Sequence, residues 1–293
     1  MKNRNIRLVI EYDGTNYKGW QVQKSRVMHD GPEAGSDAAI VTVQGMLQEA
    51  IKEITGEEVG ITGAGRTDSG VHARGQTANF HTSSGIGVER LPFAINAHLP
   101  CDIIVKSAEE VASGFNARKD AKAREYMYVI NNHRFRSAIA RLYSYHVPQE
   151  LDLEAMGQAA DCFKGLHDFS GFTAGAGQKP DGDAGATRWV AQNRSIHRIA
   201  PTEETSGQSQ RLPPTYKNIM KLDIERRMEF IYIIVKANSF LMHMVRYMTA
   251  ALLEVGKGKM GPEDIRLYLE PSPRKWTGSR APARGLFLMK VEY

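Results

Sequence analysis

Twice along the chain the apolar residues change spacing in the same order, from a strand-length run to a helical stripe, two further runs, a second stripe and a closing run. A period near two marks a half-buried strand and a period of 3.6 an amphipathic helix. In the first round, residues 7–12 (RLVIEY) form a strand that ends at Asp13-Gly14. Residues 43–54 place Val43, Met46, Leu47, Ala50, Ile51 and Ile54 on one helical face. Short strand-like runs at 59–63 and 76–81 flank a glycine-rich bend. A helix over 88–98 is closed by Leu99-Pro100, and 102–106 (DIIVK) reads as a buried strand. In the second round, 125–131 is a strand and 153–163 a helix, 189–200 and 229–237 are strands, and 241–255 is a helix. A shorter helix over 262–269 is stopped by Pro271, and 286–293 is the last strand. Two successive βαββαβ units predict an α+β protein made of two ferredoxin-like halves, residues 1–112 and 113–293. Their sheets can join into one mainly antiparallel central sheet, with a cleft between the halves as the natural binding site. No residue-level internal repeat accompanies the pattern.

Three stretches interrupt it. Residues 23–39 are rich in Gly, Asp and Ser, 173–187 (TAGAGQKPDGDAGAT) approach low complexity, and 201–214 are polar and end in Pro-Pro. Such composition marks surface loops.

At 293 residues and 42% hydrophobic content, the chain can bury a large core without metals or disulfides. Its two cysteines, Cys101 and Cys162, lie in no CxxC or CxxH pair, so neither a zinc site nor a disulfide scaffold is expected. No apolar leader or membrane-length run occurs, which with the cysteine usage predicts a cytoplasmic protein with no membrane partner. The net charge is only +5, but residues 118–141 hold seven Lys or Arg against two acids. This cluster, which includes Arg118, Lys122 and Arg124, fits either a polyanion-binding face or a solvated surface.

Three groups of residues could carry chemistry. In GAGRTDSGVHARGQTANF (63–80), Arg66 and Asp68 stand two apart; in extended chain they project together from the bend. A turn aspartate capped by local backbone donors is the other reading. The helix that begins FLMHMVRYMTAALLEV (240–255) is apolar nearly all round, yet carries Arg246. That arginine either snorkels to solvent or pairs with Asp68 and keeps it ionised, as a nucleophile must be. In a strand, Tyr126 and Tyr128 share one face, suited to base stacking or to a core. His72 in the bend reads as structural. The HExxH, GxSxG, Walker and GxGxxG templates are absent, so no metal and no nucleotide cofactor is expected.

GRTDSGVHA (65–73) closely resembles the signature of the tRNA pseudouridine synthase A family. Four further segments do so in the same order: YDGTNYKGWQVQ (12–23) with VQGMLQEAI (43–51), FNARKDAKAREYMYVI (115–130), FLMHMVRYMTAALLEVGKGK (240–259) and APARGLFLMKVEY (281–293). The resemblance implies a pseudouridine synthase fold, with the catalytic aspartate on Asp68 and its arginine partner on Arg246. It places the base-displacing arginine on Arg66, the tyrosine that packs on the target base on Tyr126, and the apolar residue under the uracil on Leu286. It further implies a homodimer that binds the tRNA anticodon stem-loop across both subunits. The reaction would isomerise uridines at tRNA positions 38–40 without metal or organic cofactor. The segment containing Arg118, Lys122 and Arg124 would hold RNA phosphates. A relative acting on ribosomal RNA, a non-catalytic RNA-binding protein or tRNA chaperone, and a glycosidase that releases uracil are the alternatives. The intact Asp68, Arg66, Tyr126 and Arg246 set argues against a pure binding protein.

Overall fold

The computed structural model describes residues 3–22, 41–173, 215–270 and 273–293. The strand expected at 189–200 and nearly all of the three expected loops lie outside the described residues. The elements run β1 (Arg4–Tyr12), α1 (Val43–Thr55), β2 (Thr62–Gly63), β3 (His72–Thr82), α2 (Leu91–Asn96) and β4 (Ile103–Val111). They continue with β5 (Ala123–Asn131), β6 (Tyr145–His146), α3 (Leu153–Phe163), β7 (Gly165–Asp168), β8 (Tyr216–Arg227), β9 (Phe230–Ala237), α4 (Met244–Gly256) and β10 (Leu286–Glu292).

All ten strands join one sheet in the order β4-β1-β3-β10-β5-β9-β8-β7, with β2 beside β3 and β6 beside β5. The first half has the spatial order fourth, first, third, second (β4-β1-β3-β2), and the second repeats it (β10-β5-β9-β8). The two expected ferredoxin-like halves and their joined, mainly antiparallel sheet are thus present. The join is a short parallel pairing, Phe287 with His72 and Leu288 with Ala73. Since β2 pairs with the other end of the same β3 edge, at Asn79 and Ala78, the loop from β2 to β3 is held at the seam.

Local chemistry explains most boundaries. Helix α1 starts where the Thr42 side chain accepts from the Gly45 N–H, and it buries Val43, Leu47, Ala50 and Ile51 at helical spacing. Helix α3 is capped in the same way by Asp152, which accepts from Ala155 N. Helix α4 is buried all round except at Glu254, as its composition requires. Helices α1 and α2 pack in the first half, α3 and α4 in the second.

Strands β6 and β7 have no counterpart in the sequence reading, β2 keeps only two residues of the run expected at 59–63, and four further elements differ from expectation. Helix α2 spans only Leu91–Asn96, because a turn occupies 88–90 and Pro92 sits in the first helical positions. Residues Pro262–Tyr268 wind as a 3-10 helix instead of an α-helix. Strand β4 is a nine-residue edge strand with exposed charges, not a buried run. Its acids meet β1 across the ladder, Glu110 to Arg4 at 2.9 Å and Glu109 to Arg7 at 2.6 Å. Strand β8, twelve residues long, has no counterpart in the sequence reading. A bulge between Ile219 and Lys221 puts its buried residues, Ile219 and Leu222, three apart and so erases the period of two. No helix among the described residues is long and apolar enough to cross a membrane.

The seam depends on close backbone approach. A Cβ at Gly75 would lie 2.5 Å from the Met289 carbonyl oxygen of β10. Gly75→Val should therefore cost about 2–3 kcal/mol in urea denaturation; an unchanged midpoint would mean that the two halves slide freely at this join.

Candidate active site at the seam between the halves

The loop 64–71 is shaped from beneath by the segment that follows β1. Thr67 is buried, its Oγ1 lies 2.7 Å from Tyr12 Oη, and its carbonyl accepts from Trp20 N at 3.1 Å. Gly19 makes this approach possible: its φ is +88°, and a Cβ there would lie 2.6 Å from the Thr67 carbonyl oxygen. On the other side, Gln76 Nε2 donates to Gly65 O at 2.9 Å and Ala64 N to Thr77 O at 2.7 Å. With Thr67 pinned inward, its neighbours turn outward. Arg66 is exposed, and the Asp68 side chain keeps 24% of its surface.

Asp68 faces α4. Its Oδ2 lies 3.0 Å from Arg246 Nη1, across 178 residues of chain. Arg246 is buried, and its Nε donates to Ala281 O at 2.7 Å. Of the two readings of this arginine, the pair with Asp68 holds. A buried guanidinium between a carboxylate and a carbonyl is a satisfied one, whereas the same charge without partners would cost several kcal/mol.

Tyr126 and Tyr128 share a sheet face but differ in company. Tyr126 packs edge-on to Phe240 at 5.1 Å. Burial first, and then the nearby Asp68 charge, push its phenol far above the ordinary range, so it stays protonated. Tyr128 is fully buried and donates to Pro282 O at 2.8 Å, which fixes the segment leading into β10. Leu286 is buried opposite Tyr128, and Leu288 lies opposite Tyr126. Asp68, Arg246, Tyr126 and Leu286 thus come from a loop, a helix and two strands that meet at one seam.

The basic segment does not form one face. Arg118, Lys119, Lys122 and Arg124 lie before or at the start of β5, while Arg134, Arg136 and Arg141 follow its other end. A nine-residue strand separates them by roughly 30 Å. Arg118 and Lys122 are exposed near the seam; the Lys122 N–H donates to Glu292 O of β10. Arg124 is spent on backbone. Its Nη1 donates to Ala121 O (3.3 Å) and Asn238 O (2.9 Å), and its Nη2 to Ala64 O (2.8 Å) and Arg118 O (3.0 Å). It ties the Asp68 loop to the basic segment and to the chain entering α4.

His72 is structural, as its setting in the bend suggests. Its Nδ1 receives the Gly14 N–H at 3.1 Å, and its Nε2 faces Leu142 O and Arg284 O at 3.1 and 3.2 Å. Asp13 Oδ1 also stands 3.0 Å from Nδ1, which would suit an imidazolium. Burial holds the imidazole below its ordinary value in spite of that carboxylate, and the Gly14 donor fits the neutral ring.

One residue at the site was missed by sequence reasoning. His243, just before α4, places Nε2 3.4 Å from Asp68 Oδ2. Its backbone is left-handed (φ 62°, ψ 2°), a conformation that costs a non-glycine residue on the order of 1–3 kcal/mol. Its position three residues before Arg246 was the available signal, since such residues share a helical face.

The family model described as tRNA pseudouridine synthase matches residues 8–118 and 159–293. The chain is 41% identical over 290 residues to the tRNA pseudouridine synthase A of Caldicellulosiruptor saccharolyticus, covering 99% of this chain and all of that protein. It is 38% identical over 290 residues to that of Thermoanaerobacter sp., with the same coverage. To that of Moorella thermoacetica it is 39% identical over 288 residues, 98% of this chain and 99% of the relative.

Replacing Arg124 by Met keeps its stem but orphans carbonyls from four places in the chain. Urea denaturation should register a loss of about 1–3 kcal/mol. Arg124→Lys should stay nearer to the Met variant than to the parent, because one ammonium cannot span all four acceptors. A parent-like Lys variant would show that charge, not the fork, matters there.

Proposed function

The chain belongs to the tRNA pseudouridine synthase family, and from that premise we propose that it isomerises uridines of the tRNA anticodon arm with Asp68 as the nucleophile. It is an isomerase, and its coarse reaction is pseudouridine formation in tRNA. The observation that carries the finer reading is the Asp68–Arg246 pair, a partly buried carboxylate with a buried guanidinium fixed against it at 3.0 Å.

In this reading the Asp68 carboxylate attacks C1′ of the target uridine as the N1–C1′ bond breaks. The freed uracil turns, C5 bonds to C1′, and the carboxylate leaves. Arg246 supplies a fixed counter-charge before and after the carboxylate is consumed. Tyr126 packs on the base and offers a protonated phenol, and Leu286 lies beneath the uracil. Arg66, exposed two residues from the nucleophile, enters the space left when the nucleotide leaves its stack. Arg118 and Lys122 face RNA phosphates, and Arg124 serves the same surface by holding its segments together. Residues 1–112 bring the nucleophile loop, and residues 113–293 complete the cleft. The family resemblance is the support for a cytoplasmic homodimer that shares one tRNA between its subunits.

Mapping pseudouridine in tRNA and rRNA from cells with and without the gene tests the substrate. Loss in the anticodon arm is expected, and loss confined to rRNA would refute the tRNA reading. Asp68→Asn should abolish turnover while tRNA still binds with parent-like affinity; normal activity in that variant would remove Asp68 from the chemistry. Lys122→Ala should weaken tRNA binding and lower the slope of log K against log salt by about one, and an unaltered slope would take Lys122 off the RNA surface.

A further inference from the structure

We propose that Tyr12 and Gln76 are positioning residues for the isomerisation, which clamp the loop on both sides of Arg66 and so set where Arg66 and Asp68 point. The proposal rests on the isomerase reading above and adds to it the parts that hold its nucleophile. Tyr12 closes β1, and Gln76 stands in β3. The two strands slip between them: Ile10 pairs with Gln76 but Tyr12 with Ala73, so β3 carries one residue more than β1 there. Such a bulge re-aims the side chains on either side of it. Tyr12 Oη stands 2.7 Å from Thr67 Oγ1, and the Gln76 amide faces the same phenol. Gln76 Nε2 also donates to Gly65 O at 2.9 Å. The circuit runs from residue 65 through Gln76 and Tyr12 to residue 67. It takes hold of both neighbours of Arg66 and of the residue before Asp68.

What Gln76 leaves unmade shows what it is kept for. It is fully buried, and among the described residues its Oε1 has no hydrogen-bond partner. A carbonyl unpaired away from water destabilises the fold, and a methionine or leucine of similar size would avoid that. Turning the amide over is no remedy, for it would set Oε1 against the Gly65 carbonyl. The donors toward Gly65 and Tyr12 are therefore what the position retains, and they serve the shape of the loop and not the stability of the core. Tyr12 fits the same account. Burial, against the hydrogen bonds of Thr67 and Gln76, pushes its phenol far above the ordinary range, so it stays a neutral hydroxyl. A neutral hydroxyl beneath the loop adds position without charge. In the isomerase reading, tRNA phosphates are held by Arg118 and Lys122, outside this loop. Attack on C1′ instead requires the Asp68 carboxylate in one place, and small misplacements there are costly in rate. The clamp therefore acts on the reaction of bound tRNA and not on its binding.

Gln76→Met separates position from stability, because it keeps the volume and removes both the unpaired oxygen and the donors. Its urea midpoint should stay at the parent's or above. Its single-turnover rate, measured on the full-length protein with saturating tRNA, should fall by about 10–100-fold. Tyr12→Phe and Thr67→Val each remove one side of the 2.7 Å contact and should slow the same reaction. The double variant should be no slower than the slower of the two, as expected for partners in one interaction. Thr67→Ser, which keeps the hydroxyl, should retain most of the parent rate. Affinity for tRNA should stay parent-like throughout. A parent-like rate in Gln76→Met, rate losses that track a fall in the urea midpoint, additive losses in the double variant, a Thr67→Ser rate as low as that of Thr67→Val, or an affinity that falls as far as the rate would each overturn the proposal. A parent protein that makes no pseudouridine in tRNA would instead overturn the isomerase reading, and the positioning role would fall with it.

Discussion

One edge of β3 is divided between two partners, β10 at its beginning and β2 at its end. Everything at the site follows from that division. The chain between the partners must leave the sheet and return within the loop 64–71, at the line where the two halves meet. A loop so confined is held on both sides, through the backbone of Trp20 and Thr77 and the side-chain amide of Gln76. It has little freedom left to spend when a ligand arrives, and preorganisation of this kind is what places a reactive group within tenths of an ångström.

The ion pair across the seam is not a device for stability. Taking a guanidinium out of water costs about as much as a carboxylate partner returns. Arg246 is tolerated in the core because Asp68 and the Ala281 carbonyl both receive it. The stability of the seam comes instead from apolar burial around it, with Tyr12, Ala73, Tyr128 and Leu288 hardly accessible. Arg124 adds backbone satisfaction, since its guanidinium answers carbonyls that no ladder reaches. The two arginines therefore do unlike work: one stabilises a charge, the other a shape.

Helices α1 and α3 were legible to within a residue, because Thr42 and Asp152 are capping residues at the head of clean apolar stripes. The first βαββαβ order was legible from periodicity; the second was drawn with a strand at 189–200, outside the described residues, whereas β8 fills that place in the sheet. Strand β8 was not legible, since its bulge moves the buried residues off alternation and the Met228-Glu229 turn lacks the usual Gly or Asn signal. At the site, the residues alone left Asp68 and Arg246 with two readings each; the five ordered motifs pointed to one. The basic run looked like a single face only because sequence distance hides the length of β5. His243 was passed over as one more buried helical residue, for nothing in the letters announces a left-handed backbone at a histidine.

Strand β10 follows every other described strand in the chain, yet it lies in the middle of the sheet, between β3 and β5. During synthesis the ribosome delivers both flanking strands long before their common neighbour. Until it arrives, β3 and β5 each present an open hydrogen-bonding edge, and the two halves are separate folding units on a tether. The last described strand is the keystone: with the segment before it, it closes the edges, brings Leu286 into place and sets Ala281 against Arg246. A nascent chain of this protein can hold most of its secondary structure and still possess no working pocket.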